Sequence, residues 1–294
     1  MLTWGQAIVL AILQGFSELF PISSLGHSVL LPYFLGWGNV QRSPTFVPFL
    51  VVLHLGTAAA LLVFYRDRWG GVIGAFVASA LRGRLARTPE EHLAWMLFFG
   101  TIPAAVLGAI FESPLKTLFA TPLVAAIFLI VNGILMLLSE RLRRQQERGG
   151  GAAWSLTAAE PEGRRSIKDL SWRDATAIGF AQSLALIPGI SRSGATICAG
   201  LLVNLRHEEA ANYAFMLATP IIAAAGLAET PSLFGAASGI GAMAVVGGLL
   251  AAVTAYLSVR FLTRYFRFGR LDPFAYYCIL IGLAGLLFVV IHGS

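Results

Sequence analysis

Charged residues are scarce in this chain of 294 residues, and their scarcity excludes most classes of soluble protein. Asp, Glu, Lys and Arg make up 12% of the sequence, against roughly 25% in soluble domains. Two cysteines, Cys198 and Cys278, both lie in apolar runs, which excludes a disulfide framework and a cysteine-rich metal site. Apolar residues are abundant: 57% of the chain is hydrophobic and the mean hydropathy is +0.75. The sequence therefore predicts an integral membrane protein.

The basic residues are distributed as in a membrane protein, although the net charge of +6 alone would also suit a nucleic-acid-binding protein. Most arginines lie in linkers between apolar runs, at 66–87, 140–173 and 260–270. Such loops usually face the cytoplasm and anionic lipid, so we expect these three loops inside and both termini outside. The expected partner surface is a lipid bilayer, and no nucleic acid is expected.

Six apolar segments of about 20 residues are predicted to be transmembrane helices. They are Phe46–Tyr65, Leu93–Glu112, Leu118–Ser139, Ala211–Thr230, Ala237–Ser258 and Pro273–Ile291. Two further apolar stretches, Trp4–Leu35 and Asp174–Asn204, are interrupted halfway by Pro, Gly and Ser, at 20–24 and 188–194. We interpret both as re-entrant helix pairs, because broken backbone at membrane depth needs protein or a wet cavity around it. The short run Trp69–Leu81 is predicted to lie at the membrane interface.

The two interruptions, called the first and second break below, are similar in sequence and predict an internal repeat. Gln14 precedes Ser23 by the same spacing as Gln182 precedes Ser191. Each half holds one broken pair followed by three spans, so the second half is expected to be inverted, with the two breaks meeting near the midplane. The predicted fold is thus an all-α integral membrane protein with an inverted-topology repeat. Its parts are a first repeat at 1–139, a cytoplasmic linker at 140–173 and a second repeat at 174–294.

Polar and ionisable residues at the two breaks are the candidate catalytic residues. Glu18 lies within an apolar stretch, Ser24 and His27 follow the first break, and Arg192 lies in the second. An ionisable side chain at membrane depth is costly unless it is paired or hydrated, so it indicates function by default. A serine within reach of a histidine supplies a nucleophile and its acid–base partner. Two structural alternatives stay open: Glu18 and Arg192 could form an ion pair that locks the halves, and His54 fits either kind of role.

The second break also has the features of a phosphate-binding turn. A glycine-containing turn at a helix N-terminus presents N–H groups to an anion, and a guanidinium beside it binds phosphate bidentately. The residues predicted to bind substrate at the two breaks are Ser23, Gly189, Ser191, Ser193 and Gly194.

Two segments, Gln14–His27 and Pro188–Gly194, closely resemble the signatures of the bacterial undecaprenyl-diphosphatase family linked to bacitracin resistance. The resemblance covers nearly the whole chain. It implies hydrolysis of undecaprenyl diphosphate to the monophosphate and inorganic phosphate, which recycles the lipid carrier for peptidoglycan synthesis. It also implies a bacterial plasma (inner) membrane location with the site facing the outer side.

The same resemblance implies a divalent cation, Mg²⁺ or Ca²⁺. Gln14 and Glu18 are expected to hold it through oxygen ligands, or Glu18 instead orients His27. Ser24 is expected to be the nucleophile with His27 handling its proton, or His27 itself is the nucleophile or the base for a water molecule.

Other functions fit parts of the pattern. A transporter or flippase of the same polyprenyl phosphate lipid would share the inverted repeat and midplane site, but it would not need a nucleophile beside a base. The other superfamily of membrane lipid phosphatases requires His and Asp after a Ser-Arg pair, and none follows Ser191–Arg192. Small-residue faces such as 235–239 would allow a homo-oligomer.

Overall fold

The computed structural model describes residues 2–41, 43–83, 86–111, 121–149, 164–228 and 241–292, and in these ranges the regular structure is helical. In chain order the α-helices are α1 (Trp4–Ser17), α2 (Ser24–Phe34), the single turn α3 (Gly38–Gln41), α4 (Phe46–Phe64), α5 (Arg66–Leu81), α6 (Pro89–Ile110), α7 (Pro122–Gly149), α8 (Trp172–Ser183), α9 (Arg192–Leu202), α10 (His207–Ala228), α11 (Gly241–Tyr265) and α12 (Asp272–His292).

Within the described residues, six helices are long and apolar enough to cross a membrane, which confirms an all-α integral membrane protein. They are α4, α6, α7, α10, α11 and α12, with mean hydropathy from 1.5 to 2.5 in their most apolar windows. The run Trp69–Leu81 is helical as part of α5. The predicted span ends at 112–120 and 229–240, and the small-residue face at 235–239, lie outside the described residues.

One predicted boundary is wrong: the third span does not end at Ser139. Helix α7 continues to Gly149, through residues that we assigned to the linker. Glutamate, arginine, glutamine and leucine all have high helix propensity, so a change from apolar to charged residues does not end a helix. The Glu140 carboxylate is buried there and accepts hydrogen bonds from His207 Nε2 at 2.7 Å and the Leu271 N–H at 3.0 Å.

The end of the predicted linker is also ordered. The N–H of Arg165 donates to the Asn204 carbonyl oxygen at 3.1 Å, and the N–H of Arg206 donates to the Arg165 carbonyl oxygen at 3.3 Å. A 3₁₀ turn at Ile167–Asp169 follows. Residues 150–163 of this linker lie outside the described residues.

Long helices flank the two broken pairs. Helix α1 packs against α11, and α8 packs against α6. Helix α7 contacts both α2 and α9, the half-helices that begin after the two breaks, and it also packs along α12. As a result, α7 and α12 lie next to the place where the first and second breaks meet.

Candidate active site

The helices that follow the two breaks begin with the same serine cap, although the backbone φ angle is +69° at Ser23 and −85° at Ser191. Ser23 is the N-cap of α2, and its hydroxyl oxygen accepts a hydrogen bond from the Gly26 N–H at 3.2 Å. Ser191 is the N-cap of α9, and its hydroxyl oxygen accepts from the Gly194 N–H at 3.1 Å. Serine is a favoured N-cap because its oxygen satisfies one of the N–H groups that a helix start leaves unpaired. The sequence similarity of the breaks thus corresponds to a repeated helix start.

The breaks are in direct contact, as predicted. A Cβ atom at Gly26 would lie 3.1 Å from the Gly189 Cα, which is tighter than most Cβ contacts, so a glycine at 26 favours this close approach of the two turns. The Ser193 hydroxyl of the second break donates to the Phe20 carbonyl oxygen of the first at 3.1 Å. The Ser191 hydroxyl lies 3.4 Å from the same oxygen.

Glu18 lies at the centre of the contact between the breaks. Its Oε2 accepts hydrogen bonds from the Ser24 hydroxyl at 2.5 Å and from Gln14 Nε2 at 2.9 Å. Its Oε1 forms a salt bridge with the Arg192 guanidinium. His54 Nε2 lies 3.3 Å from Oε2. The carboxylate therefore contacts Ser24 and Arg192, which are the first residues of α2 and α9.

Arg192 occupies a position that would be unfavourable without Glu18. The N-terminus of a helix carries partial positive charge, which repels a cation in the first turn. The salt bridge to Glu18 offsets this repulsion, as in the structural alternative considered above. The pair does not close the site, because 17% of the Arg192 side chain remains exposed, and a guanidinium has five N–H donors.

Ser24 and His27, which the sequence places on one helical face, each bond to other partners in the structure. The Nδ1–H of His27 donates to the Ser23 carbonyl oxygen at 2.7 Å, and its Nε2 lies 2.9 Å from the Tyr277 hydroxyl. A neutral imidazole with the proton on Nδ1 accepts at Nε2, so the Tyr277 O–H donates to it. Ser24 instead donates to Glu18, which is the base within its reach.

The sequence did not identify two residues that contact the site. Tyr277 of α12 stacks on His27 with ring centroids 5.6 Å apart. Asn132 of α7 is buried and makes hydrogen bonds to both breaks. The available signal for Asn132 was an amide inside a long apolar run, which is rare enough at membrane depth to indicate a role. His54, which was left undecided, is held by a hydrogen bond from its Nδ1–H to the Leu50 carbonyl oxygen at 2.8 Å.

The residues predicted to bind a divalent cation offer suitable atoms for one. Within the described part of the chain, Gln14 Oε1 is buried and has no hydrogen-bond partner. The Nε2 group of the same Gln14 side chain donates to Glu18, so the amide oxygen is adjacent to a carboxylate. Mg²⁺ and Ca²⁺ prefer such oxygen ligands. The described residues contain no cluster of three or more His, Cys, Asp or Glu side chains that could hold a metal. Substrate phosphate oxygens would have to complete such a site.

A serine hydroxyl bonded to a buried carboxylate, next to an arginine at a helix N-terminus, has the chemistry that a nucleophile and base beside an anion-binding site require. In a fold with six membrane-crossing helices, this arrangement suits an integral membrane hydrolase for an anionic substrate. Residues 7–284 match the family model described as bacitracin resistance protein BacA, and the chain belongs to this family.

Curated relatives are similar over nearly their full lengths. The chain is 43% identical to undecaprenyl-diphosphatase 2 of Frankia alni, over 96% of each chain. It is 43% identical to undecaprenyl-diphosphatase of Mycolicibacterium paratuberculosis, over 99% of each chain. It is 47% identical to undecaprenyl-diphosphatase of Granulibacter bethesdensis, over 96% of this chain and 95% of the relative.

Proposed function

We propose that this protein hydrolyses undecaprenyl diphosphate to undecaprenyl phosphate and inorganic phosphate, with Ser24 as the nucleophile. Its membership of the BacA family and its relatives named undecaprenyl-diphosphatase support the reaction. The hydrogen bond of 2.5 Å from the Ser24 hydroxyl to Glu18 Oε2 supports the mechanism. The reaction recycles the lipid carrier for peptidoglycan and other wall polymers, and it accounts for the link to bacitracin resistance.

The first step is attack of Ser24 Oγ on the terminal phosphorus. The Oγ–H proton passes to Glu18 Oε2 as the Oγ–P bond forms. The bond from this phosphorus to the bridging oxygen breaks, and its electron pair leaves with undecaprenyl phosphate. In the second step water attacks the phosphoserine, and Oγ leaves the phosphorus as inorganic phosphate is released. Glu18 gives the proton from the first step to the departing undecaprenyl phosphate, so it is again a carboxylate when water attacks. It then takes one proton from the water and passes it to Ser24 Oγ, while the other water proton stays on the phosphate.

Arg192 and the N-terminus of α9 bind the terminal phosphate. The guanidinium has five N–H donors, so it can bind phosphate oxygens while it keeps its salt bridge to Glu18. The Ser191 cap uses the Gly194 N–H, so the first-turn N–H groups that can serve an anion are those of Arg192 and Ser193. These donors are fixed before the substrate arrives, so they stabilise the charge that develops on the phosphoryl oxygens.

A divalent cation, Mg²⁺ or Ca²⁺, would be held by Gln14 Oε1 and the Glu18 carboxylate. It would neutralise charge on the diphosphate oxygens. Removing it with EDTA should lower activity, and restoring either cation should recover it.

The membrane orientation follows from the arginine-rich loops. With these loops in the cytoplasm, the first break opens to the outer side of the bacterial plasma membrane. The second repeat is inverted with respect to the first, so the two breaks approach from opposite sides.

Phosphate release from a C55 prenyl diphosphate by purified protein in detergent tests this proposal. Ser24→Ala should lose activity by at least about a thousandfold, as expected when a nucleophile is removed. Ser28→Ala is the matched control, since Ser28 is a buried serine one turn further along the same helix. Acid quenching during turnover should trap phosphoserine at Ser24, detectable by mass spectrometry.

A Ser24→Ala variant that releases phosphate at the wild-type rate would exclude this mechanism. Movement of labelled lipid across liposome membranes without phosphate release would instead favour the flippase alternative.

A further inference from the structure

Asn132 joins the two breaks from a helix that belongs to neither. It lies within α7 with 1% of its surface exposed. Its Nδ2 donates to the Pro21 carbonyl oxygen of the first break at 3.0 Å. Its Oδ1 accepts from the Ser191 N–H of the second break at 3.0 Å. One side-chain amide thus satisfies a backbone acceptor in one half of the site and a backbone donor in the other.

The caps described above are hydrogen bonds within one helix start each: the Ser23 hydroxyl bonds to the Gly26 N–H, and the Ser191 hydroxyl bonds to the Gly194 N–H. Other contacts cross between the breaks, namely those of the Ser191 and Ser193 hydroxyls with the Phe20 carbonyl oxygen and that of Arg192 with Glu18. Asn132 differs from these because it reaches both breaks from a third segment, the long helix α7. The Asn132 amide is planar, so its donor and acceptor cannot move independently.

We propose that Asn132 is a positioning residue, which sets the separation between Ser24 at the start of α2 and the phosphate-binding N-terminus of α9. The inference rests on the roles proposed above for Ser24 and Arg192. Ser24 must lie in line with the bond that breaks, and Arg192 and its neighbouring N–H groups hold the phosphate that is attacked. Misplacement of one half by about 1 Å is enough to cost about a hundredfold in rate.

Two substitutions separate positioning from packing. Asn132→Leu removes the hydrogen bonds to Pro21 and Ser191, and a weaker one from Nδ2 to Cys278 Sγ at 3.4 Å, at similar volume. Asn132→Ser leaves a hydroxyl that can serve one break at a time, and it provides a folded protein if the leucine variant does not fold. Ser139→Ala is the matched control: Ser139 is a buried polar residue on the same helix, and its hydroxyl bonds to Met136 and Cys198 rather than to either break.

The measurements are kcat and KM with a C55 prenyl diphosphate, and the inhibition constant of inorganic phosphate. They are made on monodisperse protein, and kcat is calculated from the concentration of that protein. For both Asn132 variants kcat should fall about 10- to 100-fold. KM and the inhibition constant should change by less than about threefold, because the cap and the N–H groups of α9 are local. Ser139→Ala should match the wild type in all three.

Unchanged kcat in the Asn132 variants would overturn the inference. So would a parallel loss of kcat and phosphate inhibition, since that pattern indicates a general structural role. Failure of the underlying mechanism is recognised separately, because Ser24→Ala would then retain activity whatever the Asn132 variants do.

Discussion

Removal of Glu18 should destabilise the protein more than removal of Glu18 and Arg192 together. Glu18 is buried and Arg192 is mostly buried, with 4% and 17% of their side chains exposed, and truncating one partner of a buried ion pair costs about 3–5 kcal/mol. Glu18→Ala leaves the guanidinium at the positive end of α9, so we expect about 5 kcal/mol. Arg192→Ala leaves a carboxylate that keeps the hydrogen bonds from Gln14 and Ser24, so we expect about 3 kcal/mol.

The double variant has no uncompensated charge, so its cost should also be about 3 kcal/mol, which makes it more stable than Glu18→Ala alone. The free energy of unfolding is measured in mixed micelles with increasing SDS. The control is the same set of two single variants and one double variant for Arg267 and Glu208, whose side chains are 59% and 36% exposed. The interaction energy between these two residues should stay below about 1 kcal/mol. A double variant less stable than Glu18→Ala would refute the argument.

Two further predictions concern contacts around the site. Tyr277→Phe removes the hydroxyl that donates to His27, so kcat/KM should fall by up to about tenfold, the value of one hydrogen bond. Tyr276→Phe, the control, should leave kcat/KM unchanged. An equal loss of kcat/KM in both variants would contradict a specific role for the hydrogen bond between Tyr277 and His27. Gly189→Ala should sharply lower the thermal unfolding temperature, because φ is +103° and a Cβ would press on the backbone of α7. Gly36 also has a positive φ, +67°, but a Cβ there would lie in open space, so Gly36→Ala should cost only about 1 kcal/mol. If the two variants lowered the unfolding temperature equally, the close packing of Gly189 against α7 would not be the cause.

The main elements of the fold could be predicted because their signals are local. The spans follow from the length of apolar runs, and the breaks follow from Pro, Gly and Ser inside such runs. The position of each helix start within its break follows from N-cap preference, which Ser23 and Ser191 both satisfy. Local signals also explain the one wrong boundary: a linker and a charged helix have similar composition, so the end of α7 cannot be located from composition alone.

Side-chain partners at the site could not be predicted from spacing alone. Ser24 and His27 share a helical face, but the Ser23 carbonyl and the Tyr277 hydroxyl engage both nitrogens of His27. Tyr277 comes from a helix near the end of the chain, and only tertiary packing brings it to the first break. Asn132 was missed similarly, because its partners are backbone groups that carry no sequence signal.

The site has a consequence for how the protein folds. Its bonds join residues far apart in the chain: the Ser191 and Ser193 hydroxyls are 171 and 173 positions from the Phe20 carbonyl that they approach. Contacts of such sequence separation form late, because the entropy of closing the intervening loop must be lost before they give any stability. Ser24 and the N-terminus of α9 come from opposite halves of the chain. Enzymatic activity should therefore return last in a refolding experiment, after the helices have formed, and its appearance marks the docking of the two halves.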